Sequence, residues 1–281
     1  MRPLYTPLVC REERGKERQA GIIEEKVPDF VPDLSKACAE LGGKIMWPAR
    51  GTRFDLLTAA GKIAQRYTCW TRQDDHLVYR VFQYLKATPS LGLGFYAAKN
   101  DIDNVFLYQC TDSDHANDVI DAKSTTGGWV AICSPNGTLL PIDAVSKKQT
   151  SPGLHTAECE TVACHEVTMH TGLPNVSLLE TLTGRDVRLI AEEDNQASIA
   201  AIRKGFSRRM AYMKKTQRVS LSSLHQIFFG TSEEVNPTDE DTINRLEYVD
   251  THENIADIFT KGLDYEKHWY FLDKMGMIPA E

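Results

Sequence analysis

Two apolar runs of this chain end in acid, VFLYQCTD at Asp112 and DVRLIAEED at Asp194. No other feature restricts the fold as much. Both runs are rich enough in aliphatic and aromatic residues to be strands with a buried face. A carboxylate at the end of such a strand must be paired, hydrated or bound to a cation, because a bare charge in an apolar interior is expensive. Each strand end therefore needs a wet or metal-filled edge, and the two strands can be neighbours that share one. In open α/β sheets that edge lies outside the carboxyl ends of neighbouring strands.

The surrounding sequence supplies the rest of a sheet. GGWVAICS (127–134) and LLPIDAVS (139–146) are apolar runs separated by PNGT, and Asn-Gly between two such runs predicts an antiparallel hairpin. TAECETVACHEVTMH predicts a helix with Thr156 as N-cap. NQASIAAIRKG predicts a helix stopped by Gly205, VSLSSLHQIFF another helix, and RLEYVD a fifth strand. ENIADIFTKG predicts a last helix, opened by Asp250 or Thr251 and closed by Gly262. The order β-β-β-α-β-α-α-β-α implies an α/β domain built on a mixed five-stranded sheet with flanking helices. Helices between the strands ending at Asp112 and Asp194 predict that those two strands are adjacent and parallel.

Upstream, DLSKACAELGGKIMW, FDLLTAAGKIAQRY and DDHLVYRVFQYLKAT repeat apolar residues at helical spacing. Asp74 or Asp75 starts the third helix and Pro89 stops it, ahead of a strand-like LGLGFYAA. The expected organisation is an irregular lead-in over 1–32, a small helical module over 33–100, the α/β domain over 101–265 and a tail over 266–281. A length of 281 residues accommodates two such domains.

Composition excludes several classes. No apolar run spans a bilayer, and the first residues lack a signal-peptide core, so an intracellular setting, cytoplasm or nucleus, is expected. The seven cysteines form no CxxC pair and read as reduced thiols. HEVTMH spaces its histidines five apart, whereas a zincin helix needs four. The net charge of −7 does not mark a nucleic-acid binder, but the distribution is uneven. Arg203, Lys204, Arg208, Arg209, Lys214, Lys215 and Arg218 follow one another without an acid, and because the block lies beside the acids in sequence, phosphate contact stands modestly ahead of a solvated helix face. From Glu233 to Asp257 acids dominate instead.

Two further acids, Glu160 and Asp257, fall near helix starts that can point over the same sheet edge. With Asp112 and Asp194 they form a candidate divalent-cation site. Glu158 competes with Glu160, and Asp114 with Asp112. Asn195 and Gln196 follow Asp194 directly, and helix-start polarity explains them as well as ligand contact does. Lys147 and Lys148 end the third strand, where exposed lysines are common. His252 lies five residues before Asp257, on an expected surface loop.

Six blocks, CTDSDHAND (110–118), DAKSTTGG (121–128), AVSKKQT (144–150), HTAECET (155–161), EDNQASI (193–199) and HENIADIFTKGL (252–263), stand in an informative order. In that order they resemble the ribonuclease H region at the end of the Pol polyprotein of copia-type LTR retrotransposons. PARGTRFDLLTAAGKIAQ (48–65) and RVFQYLKATPSLGLGF (80–95) are similar to the segment that joins reverse transcriptase to ribonuclease H in those elements. The resemblance spans most of residues 39–270. The family's Trp and Gly after the first acids are His115 and Asn117 here, and SRRMAYMKKTQRVSLSSLH keeps only the basic character of the corresponding family block.

The resemblance implies a ribonuclease H-like fold and cleavage of the RNA strand of RNA/DNA hybrids. It implies catalytic, metal-holding roles for Asp112, Glu160, Asp194 and Asp257, with two Mg²⁺ ions, or Mn²⁺ in their place. Glu160 matches the second acid of the family's TEAEY. Lys147, Lys148, Asn195, Gln196, Arg208, Arg209, Lys214, Lys215 and Arg218 become candidates for nucleic-acid contact. The natural partner is the reverse transcriptase core of the same polyprotein. The polymerase motif Tyr-x-Asp-Asp is absent, since the lone Asp-Asp, Asp74–Asp75, follows Gln73. A polyprotein fragment or partial gene copy is thus expected, either active or a catalytically silent remnant that binds nucleic acid or serves structurally.

Overall fold

The computed structural model describes residues 6–8, 31–115, 123–230 and 243–279. The chain forms two compact units, one of Met1–Gly94 with Lys261–Glu281, the other of Phe95–Thr260. In chain order the elements are α1 (Cys38–Gly51), α2 (Leu57–Ala64), α3 (Arg72–Ala87), β1 (Leu91–Leu93), β2 (Phe106–Asp114), β3 (Thr125–Cys133) and β4 (Leu139–Lys148). There follow α4 (Thr156–Val167), α5 (Leu173–Thr183), β5 (Leu189–Glu193), α6 (Gln196–Lys204), α7 (Met213–Thr216) and α8 (Leu221–Phe229). The last are β6 (Arg245–Tyr248), α9 (Tyr265–Lys274) and β7 (Met277–Pro279). Among the described residues no helix is long and apolar enough to cross a membrane.

In the first unit α3 starts at Thr71, whose side chain and that of Asp74 form a reciprocal capping box. Asp75 accepts from Leu34 N (3.0 Å) and Trp70 Nε1 (2.8 Å). Both acids of the Asp-Asp pair are therefore occupied in organising a helix start, and the capping residue is Thr71 rather than either of them. A buried pair anchors the other end of this helix. Arg53 donates to both oxygens of Asp55 (3.0 and 2.8 Å) and to the carbonyl of Thr88 (3.0 Å), and lies over the Tyr84 ring. The Tyr84 hydroxyl meets His268 Nε2 at 3.2 Å, and burial pushes that imidazole's pKa down to about 4. Residues 266–281 were expected as a tail. Instead most of α9 lies there, capped by Asp264, and β7 pairs antiparallel with β1.

In the second unit the sheet order is β4-β3-β2-β5-β6. The β2–β3 and β3–β4 pairs are antiparallel, and the β2–β5 and β5–β6 pairs are parallel. This is the mixed five-stranded sheet with flanking helices that the order of strands and helices implied. Gly137, at φ +96°, makes the β3–β4 turn possible. Leu107, Val130, Leu189, Ala191 and Leu246 of the sheet pack against Val167, Val176, Ile202, Leu224 and Phe228 of the helices. The helix expected to end near His170 continues instead. A π-helical stretch, Thr168–Gly172, joins α4 to α5, and Pro174, which has no N–H to donate, is the second residue of α5.

Past β6 the chain turns back over the sheet. The expected α-helix around Asp257 is a 3-10 turn, Ile255–Phe259, and its cap is Asn254, not Asp250 or Thr251. The Asn254 side chain accepts from Ala256 N (3.1 Å) and donates to Thr111 O (2.9 Å), tying the turn to β2. Gly127 lets the turn approach. A Cβ there would lie 2.5 Å from Thr260 Cγ2 and 2.7 Å from the carbonyl oxygen of Ala256. Gly127→Ala is therefore expected to cost about 1–3 kcal/mol, as overpacked sites do. Urea unfolding reads this directly, and wild-type stability would show that the turn sits elsewhere.

Candidate active site

The last parallel pair between β2 and β5 is Thr111 opposite Glu193. The next residues, Asp112 and Asp194, are thus brought together where the strands separate. Asp112 is not the end of its strand, as the sequence suggested. β2 runs on to Asp114 against β3, with Asp112 opposite Gly127. Glu160 arrives from the second turn of α4, which packs on β2 and β3. One carboxylate oxygen from each of Asp112, Glu160 and Asp194 lies within 4.8 Å of the others, and Asp114 is outside that set. Asp112 and Glu160 are buried, and Asp194 is half-buried.

Asp257 is fully buried in the adjoining 3-10 turn and is also outside the set. It is linked to it by Thr260, whose hydroxyl donates to Asp112 Oδ2 (2.6 Å), with the carbonyl oxygen of Asp257 (3.1 Å) sharing that single proton. Three of the four expected acids therefore meet, and the fourth stands in the wall beside them.

A buried acid that the sequence reading passed over lies beneath. Glu193 is fully buried, with Oε2 accepting from Thr111 Oγ1 (2.9 Å) and Oε1 from Asn195 N (3.3 Å). Its signal was available: in a strand of period two, Glu193 shares the inward face of Leu189 and Ala191, whereas Glu192 points to the other face and meets the Tyr108 hydroxyl.

The electrostatics follow from this crowding. Burial, then the charges of Glu193, Asp112 and Asp194, push the Glu160 carboxyl far above the usual carboxylate range. Burial likewise raises Glu193, with Asp194 and Asp112 adding to the effect. Oε2 of Glu160 is buried without a hydrogen-bond partner. The donor set is all carboxylate oxygen, the hard ligand type that Mg²⁺ and Mn²⁺ take. The residues present therefore fit a divalent cation.

Glu158 and Glu160 separate cleanly. Glu158 faces away from the cluster and accepts from Leu154 N (2.8 Å), Gln217 Nε2 (2.5 Å) and the Tyr212 hydroxyl. The α4 cap position is His155, without a side-chain cap, rather than Thr156. Arg203, Lys204, Arg208, Arg209, Lys214, Lys215 and Arg218 are all exposed. Met210, Met213 and Val219 bury between them and hold this segment against Val162 of α4 and Ala201 of α6. Lys147 is exposed and paired with Glu166 at 2.5 Å, while Lys148 is half-buried. Asn195 caps α6, its Oδ1 accepting from Ala197 N and Ser198 N (both 3.0 Å), and Gln196 is exposed. His252 is exposed on the turn before Asn254. His165 and His170 straddle the end of α4 and the π-helical stretch, and His170 faces Glu166. The acidic run after Glu233 lies outside the described residues as far as Thr242, as do residues 116–122 of the two early blocks.

No protein-family model matches the chain. Among solved structures it is similar to LC11-RNase H1, a ribonuclease H1 isolated from compost by a metagenomic approach. The identity is 10% and the TM-score 0.34, over 55% of this chain and 92% of that one.

The raised carboxyls give a signed expectation for the metal-free protein. Below the ordinary glutamate value of 4.5, folded and unfolded chains both hold the Glu160 proton. Above it the unfolded chain releases the proton and the folded chain keeps it, so this group's contribution to stability is lost as pH rises. In chelator, Glu160→Gln should therefore melt higher than wild type at pH 8, by at least about 2–4 °C, with a smaller gain at pH 5. A gain independent of pH in thermal melts would contradict the assignment.

Proposed function

We propose that this chain is a divalent-metal-dependent endonuclease that cleaves the RNA strand of RNA/DNA hybrids. We propose further that it derives from the Pol polyprotein of a copia-type retrotransposon. The observation that carries the reading is the meeting of Asp112, Glu160 and Asp194 from three separate elements at the point where β2 and β5 part. The order of the six sequence blocks supports it.

In this reading Asp112, Glu160 and Asp194 would hold the divalent cation, and Asp257, in the adjoining turn, would help to hold it. When bound, Mg²⁺ or Mn²⁺ supplies charge neutralisation at the scissile phosphate and a more acidic water. The chain's own groups do the rest. Thr260 fixes the rotamer of Asp112 through its 2.6 Å hydrogen bond. Thr111 and the Asn195 N–H hold Glu193 below the cluster. Arg208, Arg209, Lys214, Lys215 and Arg218 bind backbone phosphates, with Lys148 and, once released from Glu166, Lys147 at the far strand end. Selectivity comes from the shape of the hybrid and the 2′-hydroxyls of its RNA strand, beside which Asn195 and Gln196 stand. The products carry 5′-phosphate and 3′-hydroxyl ends. The helical module over 33–100 corresponds to the end of a reverse transcriptase, whose core is the partner, in cytoplasm or nucleus.

The test is a cleavage assay on the full chain at low salt with a labelled RNA/DNA hybrid and Mg²⁺. The RNA strand should be cut, chelator should stop it, and Asp112→Asn should fall to the rate seen in chelator. Folded protein that binds hybrid in a salt-sensitive way but never cuts it would establish a silent nucleic-acid-binding remnant instead.

A further inference from the structure

Glu158 is an acid with no exposed surface that the proposed chemistry does not use. It sits on α4 two residues before Glu160, and its carboxylate collects three donors. Two, Tyr212 and Gln217, come from the segment between α6 and α8, and the third, Leu154 N, from the loop before α4. The same segment presents Arg208, Arg209, Lys214, Lys215 and Arg218 to solvent. Its apolar attachment is small: Met210, Met213 and Val219 cluster with Val162 and Ala201, and the partly buried Ala157 and Leu221 pack against them. Two of these bonds hold the segment itself, and they give it a directional anchor that the apolar cluster lacks.

We propose that Glu158 is a positioning residue: it clamps the basic segment to the helix that carries Glu160, so that phosphate contacts and the carboxylate cluster keep one register. The proposal rests on the hybrid-binding reading above, which supplies the ligand for the basic side chains. Glu158 itself touches neither substrate nor metal. Its loss leaves the three clustered carboxylates in place and lets the segment swing.

The experiment has two arms on the full chain. Limited trypsin digestion, mapped by mass spectrometry, reads how firmly the segment is held, because its arginines and lysines are the cleavage points. Titration of a labelled RNA/DNA hybrid at several salt concentrations reads the phosphate contacts. Glu158→Ala should be nicked between residues 203 and 218 about tenfold faster than wild type. It should also bind hybrid about tenfold more weakly, with a shallower salt slope, because fewer phosphates are neutralised at once. KM should rise more than kcat falls. Tyr212→Phe removes only one hydroxyl from the clamp and keeps the fold, and should shift both readouts in the same direction by about threefold. Glu158→Gln, which keeps an acceptor, should restore part of both.

Faster nicking with unchanged hybrid affinity overturns the proposal, because the segment would then be tethered without being registered. Unchanged nicking in both Glu158→Ala and Tyr212→Phe overturns it as well. Wild-type protein that fails to bind hybrid at all overturns the proposed function, and the positioning role falls with it. Wild-type binding with indifferent variants overturns the positioning role alone.

Discussion

The parallel pairing of β2 with β5 positions the acids in this site, because the pair stops at Thr111 opposite Glu193. One residue further, Asp112 still belongs to a strand held by β3, while Asp194 has left the sheet for the start of α6. Their side chains are thereby forced together at a sheet edge, and α4 adds Glu160. Such an arrangement opposes folding. Four acids, counting Glu193, occupy one small volume, and a buried charge needs a partner or a proton. Burial and neighbouring charge raise Glu160 and Glu193, which favours retained protons where no cation balances the cluster. A fold selected for stability alone would place apolar residues there. The cluster makes physical sense as a site in which ionised carboxylates are to be compensated from outside.

Around that edge the supporting contacts are short and directional. The 3-10 turn carrying Asp257 is stitched to β2 by Asn254 on Thr111 O and by Thr260 on Asp112. Gly127 provides the clearance that lets the turn lie so close. On the other flank, Glu158 ties α4 to the segment with the exposed basic side chains. Consecutive turns of one helix thus serve opposite ends, Glu160 toward the carboxylates and Glu158 toward the cations.

Much of this was legible in the sequence, for reasons that particular residues make clear. Asn136–Gly137 between apolar runs announced the β3–β4 hairpin, and the helices between VFLYQCTD and DVRLIAEED announced a parallel neighbour. The meeting of Asp112, Glu160 and Asp194 followed from the same pattern. What escaped was set by tertiary contact. α5 was hidden because Gly172 and Pro174 look like a stop, whereas Gly172 is there because a Cβ would lie 2.5 Å from Gln109 Oε1. α9 was hidden although Trp269, Leu272 and Met275 recur at helical spacing, since its burial comes from partners, including Tyr84, far away in sequence. The shape of the Asp257 turn depends on Asn254 bonding a strand 143 residues earlier, which no local pattern encodes. Residue pattern alone left Glu158 and Glu160 open and the resemblance favoured Glu160; Tyr212 and Gln217 give Glu158 its separate place.

The claim that the cluster is a divalent-cation site is tested most directly by titration calorimetry of the full chain with Mn²⁺. Mn²⁺ should bind, and in buffers of different ionisation heat the signal should reveal proton release, because the ion displaces protons that the crowded carboxyls hold. Asp112→Asn should weaken binding by at least about tenfold. Absence of binding, or affinity unchanged in Asp112→Asn and Glu160→Gln, would contradict the account.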